Sequence, residues 1–242
     1  MVIAPNVIAN ADDFGLNSTI NVAILYCFEN GIVNSTSMMV NTGFFEESVQ
    51  LIQKNPVVSN VGIHINLAEG KPVTGFNDRK YIDHNGNWDF AKVNNKFNFL
   101  NRAEKESFKK EIDAQIDKAL SSGLKITHID SHCHLHNLPC FYQLFLAVAK
   151  QHKLKIRLAQ TYFEGSYLNF YYRKYINAVF KKSDCNYSDY FENPNVFLKR
   201  SGPVDTRQTV ELMLHPDYDE QGNLSDHFDP GGFSEWVNFL KK

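Results

Sequence analysis

Histidine and aspartate side chains are concentrated in residues 126–136, which read ITHIDSHCHLH. Alternate positions of this stretch are occupied by His128, Asp130, His132, His134 and His136. Alternate side chains of an extended chain share one face, so the spacing predicts that all five lie on the same side of a strand end. Such a group is costly in a core unless metal, substrate or water satisfies it. The pattern therefore favours a metal or catalytic site over histidines that hydrogen bond to one another in a solvated loop.

Two adjacent carboxylates, Asp12 and Asp13, follow an apolar strand and precede a Phe-Gly turn. Neighbouring side chains at a strand end face different directions. One acid can therefore bind a metal while the other approaches the water on that metal. Taken alone, the pair favours the simpler role of an N-cap for the following helix.

Two single histidines lie within or at the end of apolar runs. His64 stands between two isoleucines, where a satisfied core histidine is commoner than a ligand. His215 follows the run VELML and directly precedes Pro216, a position that suits turn capping and catalysis equally. Neither histidine identifies a site by itself.

The elements that must position these residues alternate along the chain, which predicts βα units in a parallel sheet or barrel. The predicted strands span residues 7–10, 35–40, 60–66, 125–130, 154–158 and 209–214. The predicted helices span residues 18–30, 104–120 and 141–150. Active sites of α/β barrels lie at the carboxyl ends of the strands. Asp12, Asp13, His64, His132 and His215 lie at or near such ends, so we expect them to meet in one site.

The donor set expected at that site is one carboxylate and two imidazoles. It suits one divalent ion with open positions for water and substrate. Zinc, manganese, cobalt and nickel fit these ligands readily, whereas magnesium usually keeps more of its waters. Ligand chemistry alone therefore favours a transition metal or zinc.

The composition is that of a folded chain near neutral charge. Of 242 residues 43% are hydrophobic, and 25 basic residues balance 27 acidic ones to a net charge of -2. The hydrophobic content excludes a disordered chain. The near-neutral net charge provides no overall electrostatic attraction for nucleic acid or anionic lipid. The four cysteines are too few for a disulfide framework, and neither a secretory signal nor a long apolar run is visible. We expect one domain, residues 1–242, in the cytoplasm, with no nucleic-acid or membrane partner.

Two long segments interrupt the alternation. Residues 68–101 are rich in glycine, asparagine and proline, and residues 161–204 are rich in aromatics and lysine. Segments of this length are usually functional lids or insertions. Arg157, on the strand before the second segment, could orient a substrate or a catalytic carboxylate, and a surface position is an equal alternative.

Five motifs resemble the YdjC-like carbohydrate deacetylase family, which includes chitooligosaccharide deacetylase. They occur in family order and cover most of the chain: ADDFG (11–15), NGIVNSTSMMVN (30–41), GIHINLAEGKPV (62–73), THIDSHCHLH (127–136) and LHP (214–216). The resemblance implies an irregular (β/α) barrel. It also implies metal-dependent removal of an acetyl group from an N-acetylated sugar or oligosaccharide.

Motif position assigns roles to the site residues. The implied metal ligands are Asp13, His64 and His132. The resemblance makes Asp12 the general base and His215 the general acid. The other histidines of the cluster are implied to shape the substrate pocket: His128, His134 and His136. Magnesium is often assigned to this family, so magnesium and zinc both stay open for the one bound ion.

Two departures from the family pattern leave other functions open. The segment after Pro216 is shorter than the usual ending, so we expect the last barrel elements to be missing or rebuilt, and residues 162–197 match poorly. One alternative is a metal-dependent phosphoesterase or amidohydrolase with a second ion on His134 and His136. Another is a sugar-binding protein without activity. A homodimer is also possible.

Overall fold

One curled parallel sheet organises the residues that the computed structural model describes, 2–200 and 206–242. Its seven strands in these ranges are β1 (Val7–Phe14), β2 (Ser35–Met38), β3 (Val61–Ile65), β4 (His128–Ser131), β5 (Lys155–Ile156), β6 (Tyr190–Glu192) and β7 (Val210–Leu214). They lie in the order β5-β4-β3-β2-β1-β7-β6. A separate antiparallel hairpin follows, β8 (Pro216–Tyr218) and β9 (Leu224–Asp226).

Helices fill most of the connections between the strands. In the described ranges they are α1 (Ser18–Glu29), α2 (Phe45–Lys54), α3 (Phe90–Val93), α4 (Arg102–Ser121), α5 (Tyr142–His152), α6 (Tyr167–Lys182), α7 (Pro194–Leu198) and α8 (Pro230–Leu240). No helix within these ranges has both the length and the apolar character needed to cross a membrane.

The six predicted strands and three predicted helices are present, with ends that differ by a few residues. They correspond to β1 to β5, β7, α1, α4 and α5. The two long segments contain further elements, α3 in residues 68–101 and α6, β6 and α7 in residues 161–204. Positions 201–204 of the second segment lie outside the described residues.

The open side of the curled sheet is bridged by the chain that leads into β6. The Ile156 N–H donates to the Cys185 carbonyl at 2.5 Å, and the Tyr187 N–H donates to the Ile156 carbonyl at 2.8 Å. Farther along, the Thr161 N–H donates to the Phe191 carbonyl at 3.0 Å. Because β6 pairs with β7, these bonds connect the two edges of the sheet. The predicted α/β fold, an irregular barrel, is confirmed as a seven-stranded half-barrel with this bridge.

Side chains alternate between an apolar outer face and a polar interior. On β7, Val210, Leu212 and Leu214 are fully buried apolar residues, whereas Glu211 lies between them and contacts Arg157 inside the curl. The same period of two places Asp12 inside next to outward-facing Ala11. Helices cover the apolar outer face. The polar side chains inside the curl are also buried, so they depend on hydrogen bonds with one another.

Gly62 on β3 makes room for a ring in this interior. A Cβ at this position would lie 2.3 Å from the His128 Nε2 atom. The His128 ring in turn stacks on Tyr187, with 4.0 Å between ring centroids. Glycine is therefore required here by close packing between β3 and its neighbour β4.

The segment after β7 forms the hairpin β8–β9 and helix α8. Trp236 of α8 is 1% exposed, and its Nε1–H donates to the Ile32 carbonyl at 3.0 Å. This anchor fixes α8 against the loop that follows α1. The chain between β9 and α8 returns to the carboxyl ends of the parallel strands.

Candidate active site

A cavity of about 560 Å³ opens at the carboxyl ends of the strands. Its lining combines the ends of β1, β3, β4 and β7 with the loop that precedes α8. The polar lining residues used below are Asp12, Asp13, His64, His132, His134, His215, Asp226 and His227. The structure thus brings Asp12, Asp13, His64, His132 and His215 together, as their strand ends predicted.

A bulge at the end of β1 separates the two adjacent carboxylates. The register between β1 and β2 shifts between Ala11 and Phe14, and Asp13 has a φ of 70°. Non-glycine residues rarely adopt this left-handed conformation, which typically costs on the order of 1–3 kcal/mol and is concentrated at functional sites. As a result the Asp12 carboxylate points into the barrel, whereas Asp13 faces the cavity histidines.

Asp13, His64 and His132 form a group of three candidate metal ligands. One donor atom from each lies within 4.8 Å of the others. The Asp13 Oδ1 atom is 2.9 Å from His132 Nδ1 and 3.3 Å from His64 Nε2. One carboxylate oxygen and two imidazole nitrogens on a cavity wall fit a divalent ion with open coordination positions.

The nitrogens that face away from this group also have acidic partners. His64 Nδ1 lies 2.8 Å from Asp130 Oδ1, and His132 Nε2 lies 3.5 Å from Glu69 Oε1. Carboxylates behind metal-binding histidines fix the ring orientation and the tautomer. Each ring thus has a carboxylate on the side away from Asp13, as metal-binding histidines usually do.

The electrostatics of the group favour positive charge. Burial opposes protonation of His64, but Asp130 and Asp13 outweigh it and raise the pKa of His64 to about 10. Burial likewise opposes protonation of His132, yet the bond to Asp13 raises the pKa of His132 to about 12. The surrounding carboxylates thus stabilise a cation at this place.

Arg157 holds Asp12 from inside the barrel. Its Nη1 and Nη2 atoms donate to the two Asp12 oxygens at 2.6 and 2.7 Å. Burial opposes ionisation of Asp12, but the Arg157 charge outweighs it and lowers the pKa of Asp12. Arg157 Nη1 also lies 2.7 Å from Asp130 Oδ2. The guanidinium thus already pairs with both carboxylates of the second group of candidate metal ligands, Asp12, His64 and Asp130.

Glu211 is the third carboxylate on Arg157. The Arg157 Nε atom donates to Glu211 Oε1 at 2.7 Å, and both side chains are fully buried. Burial raises the pKa of Glu211 to about 7, although the Arg157 charge acts in the opposite direction. Glu211 therefore fixes the end of the guanidinium opposite to Asp12.

His215 lies between Asp12 and Asp226 at the cavity wall. Its Nε2 atom is 3.9 Å from Asp12 Oδ2, and its Nδ1 atom is 3.8 Å from Asp226 Oδ1. The His215 N–H donates to Asp226 Oδ2 at 2.6 Å. Asp226 also accepts the N–H groups of Phe228 and Asp229 at 2.8 Å each. This buried carboxylate therefore joins the end of β7 to the chain that precedes α8.

The sequence profile of the YdjC-like protein family matches residues 6–235. The chain belongs to the YdjC-like family. The resemblance carried by its five motifs is thereby confirmed.

Several curated relatives of this YdjC-like chain are carbohydrate deacetylases. The one from Clostridium beijerinckii is 32% identical over 218 residues, which cover 90% of this chain and 84% of the relative. The one from Thermoanaerobacter pseudethanolicus is 32% identical over 227 residues, covering 91% and 85%. A solved structure from Enterococcus faecalis V583, described as a candidate cellobiose-phosphate cleavage protein, is 21% identical with a TM-score of 0.70. It covers 96% of this chain and 89% of its own, and it shares the fold.

The five alternate residues of the YdjC-like THIDSHCHLH motif do not share one face. β4 ends at Ser131, and a 3-10 turn follows at His132–Asn137. Within this turn Cys133 and His134 both have a φ of 54°, so the alternation of an extended chain stops. The expectation of one common face was wrong because the strand is only four residues long.

The structure also corrects the predicted pocket residues of this YdjC-like chain. His134 lines the cavity, but His128 and His136 are fully buried and do not. Burial lowers the pKa of His128 to about 4 and that of His136 well below its usual value. Arg157 is also fully buried, so the alternative of a surface position was wrong. It contacts the Asp12 carboxylate and does not line the cavity.

Asp226 and His227 were not predicted as site residues. They lie in the DHFD stretch, which sequence reasoning treated as a departure from the YdjC-like ending. The clustering of a histidine between acidic residues was the available signal. Its relation to His215 depends on the hairpin β8–β9, which brings Asp226 back to the end of β7.

Proposed function

We propose that this chain is a metal-dependent carbohydrate deacetylase that removes an acetyl group from an N-acetylated sugar or oligosaccharide. Membership of the YdjC-like family and relatives named carbohydrate deacetylase support the reaction. The observation that carries the mechanism is the meeting of Asp12, His215 and the three-donor group in one cavity.

Asp13, His64 and His132 would hold one divalent ion. When bound, such an ion polarises a carbonyl and makes water a better nucleophile at neutral pH. Two imidazoles and one carboxylate favour zinc over magnesium as that ion. Asp130 and Glu69 keep the two histidine rings turned toward Asp13.

Asp12 acts as general base in this proposal. Arg157 keeps its carboxylate ionised and holds both oxygens in one orientation. The carboxylate lies on the cavity wall beside Asp13, where it can accept a proton from the attacking water. The buried Arg157–Glu211 pair fixes this geometry from below.

His215 acts as general acid. It donates a proton to the departing sugar nitrogen, because an amine anion is a very poor leaving group. Asp226 holds the His215 backbone and lies near its Nδ1 atom, which leaves Nε2 directed toward the cavity and Asp12. Base and acid are therefore neighbours on one wall.

The test is acetate release from a panel of N-acetylated mono- and oligosaccharides, with metal-stripped protein and single divalent ions added back. We expect metal-dependent acetate release from the wild type. Asp12→Asn and His215→Ala should lower turnover by about 10²- to 10⁴-fold and still retain metal, since each removes proton transfer alone. Asp13→Ala and His64→Ala should instead lose the metal.

The control for this panel is His84→Gln, which changes an exposed histidine outside the cavity lining. Its turnover should equal that of the wild type. Absence of acetate with every ion and sugar, in protein that demonstrably holds metal, would refute the proposal. Tight sugar binding without turnover would then favour the sugar-binding alternative.

The phosphoesterase alternative gains no support from the geometry. His134 and His136 belong to neither group of candidate metal ligands in the described ranges, and His136 is fully buried. The centroids of the two rings are 6.2 Å apart. Metal content near one ion per chain, measured by atomic emission, is the expected result.

The proposal includes a reducing, cytoplasmic setting. All four cysteines lie in the described ranges, and each has a free thiol. Disulfides are rare in that compartment. The homodimer and the absence of nucleic-acid or membrane partners stay predictions.

A further inference from the structure

The loop before α8 adds a histidine to the cavity that no family motif of this chain contains. His227 lines the cavity and is 32% exposed. Its Nε2 atom lies 3.7 Å from Asp13 Oδ2. Asp13 therefore has histidines at both of its oxygens, because Oδ1 faces His132 and His64.

The surrounding contacts hold the His227 ring in this direction. The His227 N–H donates to the His215 carbonyl at 3.2 Å, which fixes the backbone. The ring lies beside that of His215, with 5.3 Å between centroids. On its far side, His227 Nδ1 is 4.0 Å from Asp217 Oδ2. The ring thus lies between two carboxylates, one on the surface hairpin and one in the site.

His227 does not belong to the compact donor group. The three donors within 4.8 Å of one another come from Asp13, His64 and His132. His227 faces the Asp13 oxygen that this group does not use. His227 is therefore placed to contact a candidate metal ligand, Asp13, and not to bind the metal itself.

We propose that His227 is a positioning residue for Asp13 and thereby raises the affinity of the three-donor group for a divalent cation. A hydrogen bond to Oδ2 leaves Oδ1 as the ligand atom and stops rotation of the carboxylate. Because 3.7 Å exceeds hydrogen-bond length, the pair has to close by somewhat less than 1 Å when the cation engages Oδ1. The proposal rests on the cation site of the proposed function.

The experiment measures cation affinity directly, by competition between metal-stripped protein and a chromophoric chelator for zinc. His227→Ala should weaken binding about 10- to 100-fold, the usual effect of removing a partner behind a metal ligand. His227→Gln keeps an N–H donor near the Nε2 position and should recover most of the affinity. Asp217→Asn should cause a smaller loss, because it acts on Asp13 only through His227.

The matched control is His84→Ala, an exposed histidine outside the cavity, which should bind zinc like the wild type. Thermal unfolding of every metal-free variant separates a folding defect from a cation effect. Unchanged affinity in His227→Ala, or a Gln variant as weak as the Ala variant, would overturn the positioning role.

Cobalt substitution distinguishes positioning from direct ligation. The visible absorption of bound cobalt depends on coordination number and ligand type, so it should be the same in wild type and His227→Gln. A change in that spectrum would overturn the inference and make His227 a ligand. If the wild type bound no divalent cation, the proposed function would be refuted as well. If only the His227 variants departed from expectation, the positioning role alone would be refuted.

Discussion

Arg157 supplies one guanidinium as the counter-charge of three buried carboxylates. It contacts Asp12, Asp130 and Glu211 at 2.6 to 2.7 Å, and none of these side chains is more than 2% exposed. A planar fork can meet several acids at fixed angles, which an ammonium group cannot do. The position of Asp12, the proposed general base, therefore depends on a fully buried residue.

Removal of this arginine should be severe. Arg157→Met leaves buried carboxylates without their counter-charge, so we expect a loss of about 3–5 kcal/mol in the free energy of unfolding. Arg157→Lys should be milder in stability but should still lower turnover, because it loses the paired contact to Asp12. Urea unfolding and acetate release measure the two effects.

The matched control is Arg79→Met, which removes an exposed arginine and should change stability by less than about 0.5 kcal/mol. If Arg157→Met and Arg79→Met unfolded at the same urea concentration, the charge network would not support the fold. Equal turnover in wild type and Arg157→Lys would show that Asp12 needs no paired contact.

At the scale of single elements, β3 and β4 fit together through the missing side chain of Gly62. Ala at this position would place its Cβ against the His128 ring. We expect Gly62→Ala to cost about 1–3 kcal/mol, as overpacking usually does. In His128→Ser the ring is absent, so adding Gly62→Ala should then cost little. Urea unfolding of the four proteins gives this coupling.

Gly75→Ala serves as the control, because nothing lies within 4 Å of a Cβ at that position. It should leave stability nearly unchanged. Additive effects of Gly62→Ala and His128→Ser would mean that the ring moves away freely, and the close approach would not constrain the sheet.

The sequence predicted the elements whose pattern is local. Short β-rich runs were sufficient for the strands that carry Asp12, His64 and Asp130, and helical period was sufficient for α1, α4 and α5. β6 was missed because it has three residues and is defined by pairing with β7. The left-handed turn at His134 depends on tertiary packing. The predicted alternation of side chains was therefore extended beyond the end of β4. The contribution of His227 depends on the hairpin, which no local pattern encodes.

At the scale of the whole molecule, the barrel interior couples stability to pH through Glu211. The folded protein keeps a proton on Glu211 up to about pH 7, whereas an unfolded glutamate loses it near pH 4.5. Between these values the unfolded state binds fewer protons, so the free energy of unfolding falls as pH rises. Above pH 7 this contribution no longer changes.

Glu211→Gln should remove that dependence while keeping an acceptor for Arg157 Nε. From pH 4.5 to 7.5 the wild type should lose up to about 3 kcal/mol more stability than the variant, at about 1.4 kcal/mol per unit of pKa shift. Urea unfolding at several pH values measures the difference. Parallel pH curves for the two proteins would show that Glu211 is ionised throughout.

The place of β1 between β2 and β7 means that β1 cannot be fully paired until β7 is present. Asn6 bonds to the Gln208 carbonyl across 202 residues of chain, and β1 pairs with β7 along five residue pairs. During synthesis one edge of β1 stays unpaired until β7 has left the ribosome, and unpaired edges promote aggregation. Contacts this distant in sequence also slow folding. The strand that carries both aspartates is thus the first strand of this sheet to be made and is fully paired only after β7, so its free edge needs protection until then.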